Sequence, residues 1–273
     1  MIKFGNELMG TFANDVLHGK PPIRWPIGKG WESIRLGPKR IIVIGAPPGT
    51  GKTAIVQQWI EDMLANNPNL IVLVVNVEMP PEDLMSRSLA RLSGVHNKFI
   101  VDREFSPVMV EMIEGGLAKM NSFYGRLAFH VGKNSMDEIG QSIVESKADL
   151  IVLDYFQAIA MGGTTDKRTQ IDDTLSVIRQ AANEHGKCFI VVSSVARDKG
   201  TKGRAYENLT LGSFKDSSGF EFNADDAYIL SEIENTADCG MMLHHVKSRH
   251  SERHDLAMRF DKDCLRFTLG GGA

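Results

Sequence analysis

Gly45-Ala46-Pro47-Pro48-Gly49-Thr50-Gly51-Lys52-Thr53 is the stretch that decides the fold. The apolar run Ile41-Ile42-Val43-Ile44 precedes it, and a helical pattern from Ala54 to Leu64 follows. Strand, glycine-rich turn, Gly-Lys-Thr and helix is the order in which a chain builds a phosphate cradle. The turn bares backbone N–H groups, and the helix start adds the positive end of its dipole. Residues Ala46, Pro47, Pro48, Gly49, Thr50, Gly51, Lys52 and Thr53 are therefore expected to bind a nucleotide, ATP. Lys52 is expected on the β- and γ-phosphates, and the Thr53 hydroxyl on a magnesium ion. The strict pattern G-x-x-x-x-G-K-[ST] puts Ala46, not glycine, at its first position; Gly45 just before it is expected to leave the turn its freedom.

With 273 residues, the chain suits one large α/β domain: an N-terminal helix and irregular lead-in over 1–39, then a core over 40–273. No linker or low-complexity run divides it. Hydrophobic content of 42% and charged content of 24% describe an ordinary globule. A net charge of −3 excludes a generally basic nucleic-acid coat, so any such contact must come from a local patch. Cys188, Cys239 and Cys264 form no CxxC pair and read as buried reduced thiols of a cytoplasmic protein. The N-terminus lacks the apolar core of a signal peptide, and no run of about 18 apolar residues predicts a membrane span.

Outward from the loop, buried strands alternate with helices. Leu70–Val77 leads to a helix from about Pro81 to Leu92, and a helix near Val108–Met120 leads to a strand around Leu127–Val131. Ser135-Met136-Asp137-Glu138 reads as a capping box opening the next helix. Leu150–Leu153 is a strand ending in Asp154; Ile171, Leu175, Ile178 and Ala182 stripe a long helix; Phe189–Val192 is another strand. These β-runs are continuously apolar, as in a parallel sheet covered on both faces. The alternation predicts a doubly wound α/β sheet. Short runs at Ala227–Leu230, Met241–Val246, Leu256–Phe260 and Cys264–Thr268 predict C-terminal antiparallel hairpins. Near the N-terminus, Leu8, Phe12 and Val16 are spaced for one face of a short helix over Glu7–Leu17.

ATP hydrolysis needs a carboxylate near the metal and a base for the attacking water. Asp154, at a strand end, is expected to hold magnesium together with Thr53. Glu78 ends the run Val74-Val75-Asn76-Val77, where an acid can polarise the lytic water; chemistry alone leaves an exposed loop glutamate open.

Several further stretches carry a resemblance. Val77-Glu78-Met79-Pro80, Met85 to Ser93, Asp154-Tyr155-Phe156-Gln157 and Val192 to Arg197 resemble DnaB-type hexameric replicative helicases. Lys215-Asp216-Ser217 through Glu221 and Ala224-Asp225 is similar to that family's loop lining the central channel, and Lys247-Ser248-Arg249 to its Lys-x-Arg hairpin. The likeness runs from about Pro26 to Phe267 and covers the RecA-like motor domain, so the expectation is a motor without the family's N-terminal helical domain, which contacts primase. The resemblance implies a RecA-like P-loop fold, with Glu78 as general base and Gln157 among the nucleotide-binding residues. It also implies that Arg249, with Lys247 beside it, is an arginine finger reaching the γ-phosphate held by the next subunit. Read from residue type, Lys247 and Arg249 are solvated charges on an edge hairpin. Where the family usually carries glutamine after the fifth strand, this chain has the shorter Ser194, so the resemblance implies either a weaker coupling of hydrolysis to DNA movement or a coupling through Arg197 or Gln157.

The loop Arg197-Asp198-Lys199-Gly200-Thr201-Lys202 is locally basic, and cations that track a backbone are a usual part of single-strand binding. Arg197, Lys199 and Lys202 are thus candidate DNA contacts; Lys215, with the backbone of Asp216 and Ser217, joins them on the resemblance. Phe220 and Phe222 read as core, and His244, His245, His250 and His254 as polar turn residues rather than a metal site. The expected function is an ATP- and magnesium-dependent helicase motor on single-stranded DNA, a homo-hexameric ring with a loader or primase as further partner and no membrane contact. The rival is a RecA-fold ATPase of recombination-mediator or circadian-clock type, which assembles without unwinding duplex.

Overall fold

A computed structural model describes residues 2–159, 167–195, 209–214, 218–233 and 239–270. The first helix, α1 (Gly5–His18), forms as its spacing predicts, but none of its residues is buried, and Leu8, Phe12 and Val16 stay exposed. Residues 19–40 hold no helix or strand, yet Ile27, Trp31, Ile34 and Leu36 are buried in the main core. There Trp59 is fully enclosed, its ring edge-on to Trp31 at 5.8 Å and to Tyr228 at 6.3 Å.

The strands are β1 (Ile41–Ala46), β2 (Val72–Asn76), β3 (Leu127–Phe129), β4 (Leu150–Asp154) and β5 (Cys188–Ser194). Between them come α2 (Lys52–Asn66), α3 (Pro81–Ser93), α4 (Asn97–Asp102), α5 (Pro107–Phe123), α6 (Met136–Ser146), α7 (Phe156–Ile159) and α8 (Lys167–His185). After the fifth strand come α9 (Ser218–Asn223), β6 (Asp226–Glu232), β7 (Gly240–Ser248), β8 (Leu256–Asp261) and β9 (Arg266–Leu269). All these strands join one sheet in the order β3-β2-β4-β5-β1-β6-β7-β8-β9. Side chains alternate across a strand. Ile42 and Ile44 therefore pack in the cluster that holds α2, and Ile41 and Val43 in the cluster that holds α8. Burial on both faces explains the uninterrupted apolar runs.

Two expectations change. The Ala227–Leu230 run is not purely a hairpin strand: β6 lies parallel to β1 on one side and antiparallel to β7 on the other. Only from β6 onward does the sheet become antiparallel, because tight connections can join only antiparallel neighbours. And α4 has no counterpart in the sequence reading. It is too short to show a period, and it anchors through buried Ile100 beside Ala90 and Val95.

The helix that follows the phosphate loop is fastened to α3 by buried charge. Arg91 donates to Glu61 through Nε at 2.8 Å and Nη2 at 2.5 Å, and through Nη1 to Asp62 at 2.9 Å. Ser88 also donates to Glu61. Burial opposes the charge on Arg91, but Glu61 and Asp62 outweigh it and hold the guanidinium above its ordinary range.

Candidate active site

The carboxyl ends of the parallel strands gather the candidate residues, as expected for an open α/β sheet. The turn between β1 and α2 closes locally, with Thr50 Oγ1 donating to the Pro47 carbonyl at 2.7 Å. Gly51 caps α2 in the left-handed region at φ 94°, and Lys52 and Thr53 open the helix. A Cβ at Gly51 would also stand 2.9 Å from Phe260 and 3.2 Å from Phe267, whose rings stack at 4.1 Å behind the loop. Gln58 on α2 exchanges both backbone hydrogen bonds with Phe267, at 2.9 and 2.8 Å. Gly45 does not serve the turn. It lies inside β1, paired with Ser193 and Ile229, and is glycine because a Cβ would come within 2.5 Å of the Phe214 ring.

Thr53 Oγ1 donates to Asp154 Oδ2 at 2.7 Å, so the two residues read as magnesium ligands do meet. The peptide bond after Asp154 is cis. Asp154 is 3% exposed, and its Oδ1 has no hydrogen-bond partner among the described residues. Burial raises its carboxyl above the ordinary range, against the opposing effects of Thr53 and Lys52. A desolvated carboxylate with a free lone-pair face beside a threonine hydroxyl fits a hard divalent cation, because oxygen donors are what magnesium takes. Glu78 follows β2 and is exposed. Its turn is set by Asn76, which sequence reasoning left without a role. Asn76 Oδ1 accepts from Glu78 N at 2.9 Å and Met79 N at 2.8 Å, while its Nδ2 donates to Asp154 Oδ2 at 3.1 Å.

Gln157 on α7 is buried and reaches the end of β5. Its Nε2 donates to Ser193 Oγ at 2.7 Å, and its Oε1 accepts from Ser194 N at 3.4 Å. Gln157 thus ties the end of β5 through the Ser193 hydroxyl and the backbone N–H at 194.

Lys247 and Arg249 lie elsewhere. Because β7 runs antiparallel to β6, its end sits at the amino end of β1: Ser248 pairs with Asp226, which pairs with Ile42. At about 3.3 Å per residue, β1 sets Arg249 roughly 17 Å from the start of its own phosphate loop, beyond one side chain's reach. Asp225 organises this end. It accepts from Ile41 N at 2.9 Å and Arg179 at 2.9 Å, and lies 3.3 Å from Arg249 Nη1 and 3.5 Å from His250. Arg249 Nη2 also donates to the Phe222 carbonyl at 2.5 Å, and its side chain remains 41% exposed. Lys247 Nζ donates to the carbonyls of Glu221 and Ala224, the latter at 2.7 Å; partial burial and Arg249 lower its pKa.

Other expectations change here. Phe222 is 75% exposed, unlike Phe220, which is buried; two positions apart on α9 they point about 200° apart, so only one can face the core. His244 and His245 are strand residues. His245 is buried, stacked on Tyr228 at 4.4 Å and hydrogen-bonded to Asp226 at 3.0 Å. Cys239 is exposed, while Cys188 and Cys264 are buried. The DNA candidates Arg197, Lys199, Lys202, Lys215, Asp216 and Ser217 lie outside the described residues. No helix among the described residues is long and apolar enough to cross a membrane.

Comparison with known proteins gives the family and the fold. The family model for the DnaB-like helicase C-terminal domain matches residues 34–269. The chain belongs to this family. A probable plasmid replicative DNA helicase of Chlamydia trachomatis is 21% identical over 240 residues, which are 87% of this chain and 52% of that protein. The chain spans about half the length of the curated relatives it matches. Among solved structures, one described as an ATPase domain superposes with a TM-score of 0.82 at 16% identity, covering 98% of this chain and 100% of that one. A KaiC-like protein of Pyrococcus horikoshii gives a lower TM-score of 0.62 at 15% identity, covering 92% of this chain and 99% of that one. The fold is RecA-like, a mostly parallel sheet with helices on both faces and antiparallel C-terminal strands.

Proposed function

We propose that this member of the DnaB-like family is an ATP-hydrolysing motor that closes as a hexameric ring around single-stranded DNA and unwinds duplex. The observation that carries the reading is the division of labour between the sheet ends. Phosphate loop, Asp154 and Glu78 occupy the carboxyl end, and Arg249 the amino end, half exposed. In a head-to-tail ring such a finger serves the neighbour, and each interface completes one pocket.

In this reading the loop's N–H groups and Lys52 hold the β- and γ-phosphates. Thr53 and Asp154 hold magnesium, which when bound neutralises charge on the phosphate oxygens. Glu78 orients the attacking water and takes its proton, and Gln157 connects the strand ends near the γ-phosphate. Arg249 of one protomer, with Lys247 nearby, places a guanidinium on charge spread over the transferring group. Arg197, Lys199, Lys202 and Lys215, with the backbone of Asp216 and Ser217, contact the strand; six copies give a salt-sensitive, nearly sequence-blind grip. A loader or a primase is the further partner; one solved DnaB-like replicative helicase is described with its interactions with primase.

The test is ATPase rate with and without single-stranded DNA, read beside particle mass and strand separation. Stimulation by DNA, a sixfold mass and released strand support the motor. Assembly on ATP with neither stimulation nor unwinding moves the reading to the RecA-fold assembly ATPase.

A further inference from the structure

We infer that Asn76 is the positioning residue that locks the Glu78 turn to the metal-binding carboxylate of Asp154. The inference rests on the proposed ATPase reading. Asn76 ends β2 and pairs in register with Asp154, which ends β4. Its amide is used from both sides. The Oδ1 atom accepts the N–H groups of Glu78 at 2.9 Å and Met79 at 2.8 Å, the short loop in which Glu78 leaves the strand. The Nδ2 atom donates to Asp154 Oδ2 at 3.1 Å, the oxygen that also accepts Thr53 Oγ1. These partners fix the amide's orientation, because two donors face one end and a carboxylate the other.

Position and charge follow from this one side chain. An Asx-type turn holds the backbone at 78 and 79 in a single course, which a bare loop end would not do. Val77 N, bonded to the Asp154 carbonyl at 2.8 Å, ties the same loop to the same strand end by a second route. With Oδ2 engaged by Asn76 and Thr53, the buried Oδ1 is the carboxylate atom left over for a cation. The Glu78 side chain is exposed, so its aim depends on the course of its backbone. Small displacements of a reacting group are costly, since about 1 Å can lower a rate by about a hundredfold.

The experiment combines Asn76→Ala with Glu78→Gln in the full chain and reads two quantities. The first is steady-state ATPase. Asn76→Ala is expected to lower kcat by about ten- to a hundredfold and to raise KM only several-fold, in step with the loss of magnesium-dependent tightening. In the Glu78→Gln background the same substitution is expected to change residual turnover little, because it acts through the side chain already removed. The second is the affinity for a fluorescent ADP analogue, with and without magnesium. Affinity without magnesium is expected to hold, and the magnesium-dependent tightening to fall several-fold. Where Asn76→Ala melts below the assay temperature, Asn76→Ser replaces it. Wild-type kcat and wild-type magnesium tightening in Asn76→Ala overturn the inference and leave the ATPase reading standing. So does an equal loss in the Glu78→Gln background, which marks a merely structural role. A wild-type chain that binds the analogue but turns over no ATP overturns both.

Discussion

Two inactive variants of this protein, mixed, are expected to restore activity that neither has. Arg249→Ala removes the proposed finger and Lys52→Ala the phosphate contact. The finger substitution spares the fold: Asp225 keeps Arg179 and Ile41 N, and the lost side chain was 41% exposed. A finger contributes about 10³–10⁵ in kcat, so Arg249→Ala alone should be nearly silent while still binding nucleotide. In a randomly mixed ring with equal amounts of each variant, half the pockets keep Lys52, and half of those face an intact finger. About a quarter of sites are then complete, and ATPase should recover to about that fraction of wild type, peaking near equal mixing. The figure depends on geometry. With roughly 17 Å of strand between Arg249 and its own loop, a finger acting within its own chain is excluded. The assay is ATPase across mixing ratios after dissociation and reassembly, with mass confirming subunit exchange. No recovery in exchanged rings, or full activity of Arg249→Ala alone, would refute the reasoning.

Three further outcomes follow from the same geometry. Glu78→Gln should cut turnover to a small residual rate while leaving nucleotide affinity in place, read by single-turnover hydrolysis against equilibrium binding. Arg91→Met strands Glu61, which is 1% exposed, and should cost about 3–5 kcal/mol in chemical denaturation; Glu61→Leu with Arg91→Leu should recover most of it, and a loss under about 1 kcal/mol from the single change would count against the pair. Asp226 supplies a pH test: burial pushes its carboxyl up, but hydrogen bonds from His245 and Ser248 and the charges of His245 and Arg40 prevail and hold it below its unfolded value. Its contribution is therefore complete above about pH 4 and lost as pH falls through the folded value, so Asp226→Asn should flatten the acid limb of stability; an unchanged limb would contradict this.

Much of the fold was written locally. Short, β-branched-rich apolar runs at Ile41–Ile44 and Leu150–Leu153 read as strands covered on both faces, and a proline at the first turn of α3 marks its start. What escaped depends on partners distant in sequence. Asn76 looks like one polar residue closing an apolar strand; its role exists only because β4 brings Asp154 into register with it. Asp225 gains its place from Ile41 on β1, Arg179 on α8 and Arg249 just after β7, which are far apart in sequence. Periodicity cannot see β6 choosing β1 as a parallel neighbour, nor which side of α9 turns Phe222 outward. The phosphate loop was the opposite case, since its chemistry is carried by contiguous residues.

The stacked Phe260–Phe267 pair behind Gly51, and the paired bonds of Gln58 to Phe267 across a separation of 209 residues, set a timetable for synthesis. Translation delivers the loop well before its backing. Until β8 and β9 have both left the ribosome, Gly51 lacks the ring pair behind it, so a nascent chain carries the full phosphate-binding signature with its Thr50–Pro47 closure but without the aromatic backing.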